Sequence, residues 1–393
     1  MSRTILDVHI LQTVPPSNIN RDDTGSPKGA VYGGVRRARV SSQAWKRATR
    51  EAFKNVLDPS ELGTRTKRVA ELVAERIREI DGDIPWEQAL ELAAATVTAA
   101  TGSKIEKPKP RKGDESAKEK APESSYLMFL SARQRDGLAE LAVEGRADIA
   151  AFLKQAENKK RAKRIANTGH SVDIALFGRM VADSSDINVD ASAQVAHAIS
   201  VHAADIESDY YTAVDDRRSD AEPGAGMIGT VEFNAATLYR YAAVDVDRLA
   251  DNLGVGVRDD RPGSEPVRRA VEAFVRCFAE SMPTGKSNSF ANHSLPDAII
   301  VKLRDSRPIN FAGAFEEAVP QDAVSGQLAE ACRKLAEHIG DVERAYGVEN
   351  APTWVLRVGA ATKDLSGLGE EVSMGELVER VGRAVAERLE NTP

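Results

Sequence analysis

Apolar and polar positions alternate at the start of the chain, where Ile5–Leu11 predicts a strand with Leu6, Val8 and Ile10 on one face. A second short alternation, Val35–Val40, places Arg37 and Arg39 on one face and Ala38 and Val40 on the other, the latter suited to burial. Ser41 and Ser42 have the character of N-caps for a helix running to about Val56, with Ala44, Trp45, Ala48, Ala52 and Phe53 as its apolar stripe. Residues from about Ser60 to Thr101 carry a helical pattern broken near Asp81–Pro85, and the helical pattern returns from Gly137 to Ile165 and at about Asp190–His202. Strand-like alternation follows at Val231–Val246. A helix at Glu265–Ser281, a strand at Ala298–Leu303, a helix at Gln327–Tyr346 and a strand at Trp354–Val358 complete the reading. Strands interleaved with helices, with a large helical insertion between them, predict an α+β fold with a core of ferredoxin or RNA-recognition-motif (RRM) type.

Two stretches break the pattern. Lys104–Ser125 mixes Pro108, Pro110 and Pro122 with alternating Lys and Glu; it has too little apolar surface to order itself and reads as a mobile loop inside the helical insertion. Downstream, Pro223, Gly224, Gly226 and Gly229 interrupt any regular element and predict an exposed excursion.

Charge changes the picture most. The chain has a formal net charge of −7, yet Lys28–Arg50 carries seven basic side chains and no acidic one. A local polyanion site explains this contrast. Lys46, Arg50 and Lys54, spaced by four, share one helix stripe with Arg47 beside it. The helix start would add backbone N–H groups from Ser41, Ser42 and Gln43 for a phosphate. A second basic cluster, Lys159, Lys160, Arg161, Lys163 and Arg164, ends the later helical stretch and is a candidate for contacting DNA.

The remaining chemistry is largely exclusion. A chain of 393 residues with 42% hydrophobic and 29% charged residues is ordinary globular material for two or three domains. Cys277 and Cys332 read as buried thiols, not a disulfide. No Walker loop, GxGxxG, GxSxG or CxxC element is present, and the six histidines show no metalloprotease spacing, so neither metal nor cofactor is expected. His197 and His202, five apart on the expected helix, read as packing or solvent-exposed residues. No apolar run approaches a membrane span and no signal-peptide core opens the chain, so the cytoplasm is the expected location. The carboxylate pairs Asp22–Asp23 and Asp215–Asp216 are the best catalytic candidates, although Asp in a turn is commonly a local hydrogen-bonder.

Three ordered blocks carry a family likeness. NRDD at Asn20–Asp23 leads into KGAVYGGVRRARVSSQAWKRATR at Lys28–Arg50, VDIALFGRM lies at Val172–Met180, and AHAIS, TAVDD, GTVEF and YRY fall between Ala196 and Tyr241. Together they resemble the backbone subunit of type I-E CRISPR Cascade, the protein repeated along the guide RNA; the C-terminal third matches more loosely.

The resemblance implies a hand-shaped molecule: palm at 1–59, helical fingers at 60–180, palm at 181–202, a thumb hairpin at 203–233, and palm at 234–393. It implies no RNA cleavage by this subunit; a stand-alone endoribonuclease of the same superfamily is the alternative, and a purely structural oligomeriser a further one. It also implies RNA contacts. Arg21, Lys28, Ser41, Gln43, Lys46, Arg47 and Arg50 would hold phosphates, Lys286 in the loop Gly285–Ser289 would face another, and Met180 and Tyr211 would wedge where a nucleotide is flipped. Tyr210–Tyr211 stands where the family has a Trp-Phe pair. The implied partners are the CRISPR RNA (crRNA), target DNA, further copies head to tail, and sibling subunits: the large PAM-reading subunit, the small subunit, the 5'-handle-binding subunit and the repeat-processing endoribonuclease.

Overall fold

The computed structural model describes residues 3–106, 121–181, 185–213, 227–254 and 263–391, and the chain divides into two compact units. Unit 1 comprises 1–52, 194–245 and 271–393; unit 2 comprises 53–193 and 246–270. Most of the predicted 104–125 loop, Pro223, Gly224 and Gly226 of the predicted excursion, and Asp215–Asp216 lie outside the described residues, while Gly229, read as a breaker, sits within the strand Met227–Asp245.

Unit 1 is a mixed sheet with helices. Its centre is β1 (Ile5–Ser17), and near the edge lie β2 (Gly29–Tyr32) and β3 (Val35–Val40). The strand order is Glu370–Glu371, Thr353–Arg357, Ala298–Arg304, β1, Met227–Asp245, Ala198–Ser200, β3 and β2. β1 is antiparallel to both neighbours, with Ile5 opposite Asp245 on one side and Arg304 on the other. The predicted strand therefore exists, but it is covered on both faces: Leu6, Val8 and Ile10 are fully buried, and so are Asp7 and His9 between them.

A central strand with polar residues on a buried face requires partners for them. The Asp7 carboxylate accepts from Arg304 Nε at 2.7 Å, from the Tyr241 hydroxyl at 2.7 Å and from the Ile309 N–H at 3.1 Å. Arg304 also reaches Glu343 at 2.8 Å, and Lys302 meets the same carboxylate at 3.0 Å. Burial raises the Asp7 pKa, opposed by these donors, and pushes the Tyr241 phenol up. His9 Nδ1 and the Tyr239 hydroxyl share a hydrogen bond of 2.9 Å, and the same hydroxyl oxygen accepts the Phe311 N–H; desolvation, with Arg304 and Lys302 nearby, holds the imidazole neutral. Around this network Ile300, Phe311, Phe315, Leu335 and Ile339 form the apolar core on that face, joined by the helix Gln327–Tyr346.

The helix expected at Asp190–His202 is absent; the stretch contains the strands Ala193–Val195 and Ala198–Ser200. Ala-rich sequence favours a helix locally, but Ile199 and Ser200 pair with Tyr239 and Leu238, and Ala198 and Ile199 pair with Val40 and Arg39, so sheet pairing overrides propensity. His197 and His202 consequently share no helix. A C-terminal helix, Met374–Glu390, which the pattern reading omits, is closed by a Ser373/Glu376 capping box and buries Leu377, Val378, Val381 and Val385. Cys277 and Cys332 are buried free thiols, each with its pKa raised by burial to about 12.

Unit 2 is mainly helical. Val69–Ile80, Trp86–Thr101, Ala132–Glu144, Ile149–Lys154 and Ala156–Ala166 enclose a core of small and branched residues including Val73, Ile77, Leu92, Val97, Leu138 and Leu141. The predicted break is real: Ile80 ends one helix and Pro85 opens the next. The stretch near Ser60 is not helical throughout, because Gly63–Thr66 forms a strand paired with Met128–Ser131. Among the described residues no helix is long and apolar enough to cross a membrane, and no group of His, Cys, Asp and Glu could hold a metal ion.

Arg304→Met would leave Asp7 and Glu343 buried with too few cations. We expect a loss of about 3–5 kcal/mol in urea unfolding of the full chain; a loss below about 1 kcal/mol would show that the network carries little of the stability.

Candidate nucleic-acid interface

Helix α1 (Ser42–Ala52) follows β3 directly and buries Trp45 and Thr49; it ends at Ala52, short of the predicted Val56, with a 3-10 turn at Phe53–Asn55. Ser41 is the cap, its hydroxyl accepting the Ala44 N–H at 3.2 Å. Lys46 and Arg50 are half-buried on this helix and Arg47 is exposed. Partial burial alone lowers the Lys46 pKa, as expected of an ammonium resting on packed surface.

The loop after β1 is stitched to the same place. Asn18 Nδ2 donates to the Gly25 carbonyl at 2.9 Å and to the Glu232 carbonyl at 2.8 Å, while Asn20 Oδ1 accepts the Ser41 N–H at 2.8 Å. Lys28 is tied through its backbone to Asn20 and Arg39. Asp22 accepts from the Thr24 N–H and hydroxyl and from the Ser26 N–H, and these bonds pull its pKa below the usual carboxylate range. Asp22 is thus the local fastener of the loop that carries exposed Arg21.

The loop with Lys286 reaches the same region. A Cβ on Gly285 would stand 2.4 Å from the Ile19 carbonyl oxygen and 2.6 Å from that of Asn18, so only glycine permits this approach. Lys286 itself has φ 48°, a left-handed conformation at the start of the short turn Ser287–Phe290. Unit 1 therefore gathers the Arg21/Lys28 loop, the start of α1 and the Lys286 loop.

Two sequence expectations fail here. The alternation that set Arg37 apart from the positions suited to burial does not hold: Arg37 is buried like Ala38 and Val40 and donates to the carbonyls of Tyr32, Ser200, Phe315 and Glu316 at 3.2, 3.0, 2.8 and 3.2 Å. Nor are Ser41 and Ser42, two of the three donors expected at the start of α1, unpaired. The Ser41 N–H is held by Asn20, the Ser42 N–H by His197 Nδ1 at 3.3 Å, and the Ala44 N–H by Ser41. His197, placed by sequence on a helix, instead sits exposed beside α1 with Arg39 Nη1 at 3.2 Å from the same nitrogen. Misreading the 190–202 stretch is what hid it.

The aromatic and apolar candidates are exposed on firm supports. Tyr211, on the strand Glu207–Ala213, lies opposite Gly229; a Cβ there would fall 2.4 Å from the tyrosine ring. Its exposure is 41%, against 62% for Tyr210 on the opposite strand face. In unit 2, Met180 is 85% exposed, which excludes core filling. The preceding Arg179 exchanges backbone hydrogen bonds with Val189, and its buried guanidinium donates to the carbonyls of Ile187, Phe129 and Ala166 and to Gln134 Oε1. Desolvation lowers the Arg179 pKa to about 10.

Unit 2 also carries the second basic cluster, on the helix Ala156–Ala166. Lys159, Lys163 and Arg164 line a cleft of about 990 Å³ with Lys154, Thr98, Ala99 and Gly102. Lys160 is exposed, Lys163 is 3.4 Å from Asp186, and Arg161 is engaged by Glu144 through two contacts of 2.9 Å.

Helices on a mixed sheet, with basic loops gathered at the start of one helix, define an α+β protein with a localised basic surface. The chain belongs to the CT1975-like protein family, whose pattern it matches over residues 6–380. It is similar to a chain of a CRISPR RNA-guided surveillance complex in a pre-nicking state, at 34% identity and TM-score 0.81, covering 97% of this chain and 100% of that one. A second such chain, from a CRISPR RNA-guided surveillance complex, is 31% identical with TM-score 0.72, covering 97% and 99%. No curated protein matches the sequence.

Gly285→Ala must push the Lys286 loop off the Asn18–Ile19 backbone. We expect a stability loss of about 1–3 kcal/mol by urea unfolding and new proteolytic cleavage within 281–291. A wild-type digestion pattern would mean that the loop tolerates the methyl group.

Proposed function

We propose that this chain is the crRNA-binding backbone subunit of a type I-E Cascade interference complex in the cytoplasm. The observation that supports this most strongly is the full-length similarity to chains of CRISPR RNA-guided surveillance complexes, taken with the convergence of three basic elements in unit 1. Arg21, Lys28, Ser41, Gln43, Lys46, Arg47, Arg50 and Lys286 hold guide phosphates. Such contacts ignore base identity, which suits a subunit that must accept any guide, while base pairing reads the target. Copies join head to tail, a heterologous contact whose repetition makes a filament of a length set by the RNA. Met180 and Tyr211 support periodically flipped nucleotides. Lys159, Lys160, Lys163 and Arg164 face target DNA, with Arg161 contributing less because Glu144 already holds it. The large PAM-reading subunit, the small subunit, the 5'-handle-binding subunit and the repeat-processing endoribonuclease complete the assembly. The protein acts by binding, not as an enzyme.

Lys46→Ala combined with Arg50→Ala removes two proposed phosphate contacts. We expect RNA affinity to fall about equally for unrelated sequences and the slope of log affinity against log salt to flatten by roughly 1.4, at about 0.7 per contact for single strands. A sequence-selective loss with an unchanged slope would reject the assignment.

The endoribonuclease alternative has its own test. Because Asp22 is spent on its own loop, Asp22→Asn and Asp23→Asn should leave RNA uncut, as in the wild type. Metal-dependent cleavage by the purified wild-type complex, abolished by either substitution with assembly intact, would establish an enzyme.

A further inference from the structure

Outside the residues assigned above, one exposed cluster combines converging donors with a titratable ring. His197 Nδ1 lies 3.2 Å from Arg39 Nη1 and 3.3 Å from the Ser42 N–H, and Arg39 Nε is fixed by the Gly29 carbonyl at 3.1 Å. Two donors, one cationic and one at a helix N-terminus, thus aim at a single imidazole lone pair. A neutral nitrogen is a weak acceptor for such donors; an anionic oxygen in its place would form charge-assisted bonds with both.

Resting on the reading of this chain as an RNA binder, we propose that His197, with Arg39 and Lys28, forms an additional phosphate contact that is proton-coupled and tightens as the ring becomes protonated. In the free protein the neutral ring fills the acceptor position between Arg39 and Ser42. When a phosphate oxygen takes that position, the displaced ring has no reason to keep its lone pair. Protonated, it donates Nδ1–H or Nε2–H to the same anion.

Desolvation first, and then the charged groups facing the ring, Arg39 from β3 and Lys28 from the loop, hold His197 below the usual histidine value. The ring is therefore neutral at pH 7 when no anion is bound. A bound phosphate opposes Arg39 and Lys28 and raises the pKa, so binding takes up a proton and affinity rises as pH falls. The sequence offers no hint of this, because His197 is 155 positions from Ser42 and meets it only through the pairing of Ala198 and Ile199 with β3.

The test uses the full chain and a short single-stranded oligouridylate at constant ionic strength between pH 5.5 and 8. Wild type should bind about tenfold tighter at pH 5.5 than at pH 7.5, the equivalent of a pKa shift of about one unit on binding. His197→Gln, which retains an acceptor for Ser42 but cannot titrate in this range, should keep its salt-dependent binding and lose most of that pH dependence. The His197 ring resonance should titrate at higher pH with oligouridylate present than without it. Identical pH dependence in the wild type and variant, or an unmoved His197 titration, would overturn the proposal while salt-dependent binding leaves the RNA-binding reading intact. Absence of oligouridylate binding by wild type at every pH and salt concentration would overturn both.

Discussion

The basic surface of unit 1 depends on one buried cation that never reaches it. Arg240 lies on the long strand Met227–Asp245 directly opposite Ile10, with its guanidinium 3.7 Å from the centre of the Trp45 ring and 4.7 Å from that of Phe278. It donates to Gln12 Oε1 at 2.6 Å and to the carbonyls of Phe278 and Ala279 in the last turn of the helix Glu265–Glu280. Those carbonyls have no acceptor role left inside their helix and carry its partial negative charge, so they can stand in for a carboxylate. Burial lowers the Arg240 pKa to about 9, which still leaves it charged at neutral pH. One planar fork thereby joins β1, the sheet, the basic helix and the helix leading to the Lys286 loop. A lysine has neither the plane to stack on Trp45 nor the spread of donors to do this.

The same device recurs where other candidate residues are held. Arg37 ties β3 to Ser200 and to the Phe315–Glu316 turn, and Gly33 lets that turn approach, since a Cβ there would overlap the Glu316 carbonyl. Arg179 does the corresponding work under Met180 in unit 2. Each guanidinium bonds to carbonyls contributed by segments far apart in sequence. Loops carry most of their polarity in the backbone, and an internal arginine supplies enough donors to satisfy several carbonyls at once. The contrast is the Asp7–Arg304–Glu343–Lys302 network, where buried charges answer one another and fix the centre of the sheet.

Periodicity made much of the fold legible. Gln327–Tyr346 has a strong apolar stripe and a glycine stop at Gly347, and the observed helix has the predicted bounds. Ala298–Leu303 and Trp354–Val358 were equally plain because continuous apolar runs in sheet interiors leave little choice. The failures share a cause. Ala193–Ser200 looks helical in isolation and becomes strand only through partners at Val40 and Leu238 that no local window contains. The basic run at Lys28–Arg50 advertised a polyanion site, yet composition could not separate Arg37, turned inward, from Arg39, turned toward His197. Both lie on one side of β3, so the division depends on what covers each position along the strand: the Phe315–Glu316 turn meets Arg37 and His197 meets Arg39, a tertiary fact.

Sorting arginines into internal staples and surface contacts explains how a chain of net charge −7 can offer a basic surface. The staples fix the backbone from which the exposed groups project, so those groups need not lose much further freedom when a ligand arrives. Met180 and Tyr211 illustrate the same economy with apolar surface. A single exposed methionine is unremarkable on a loose loop, but Met180 projects from a backbone bonded at Arg179 and Val189 and again at Val181 by Asn188. Tyr211 cannot settle closer to its own hairpin without a glycine opposite, and glycine is what stands there. Both side chains thus occupy defined positions while remaining exposed, so a group docking on them would not first have to order their supports.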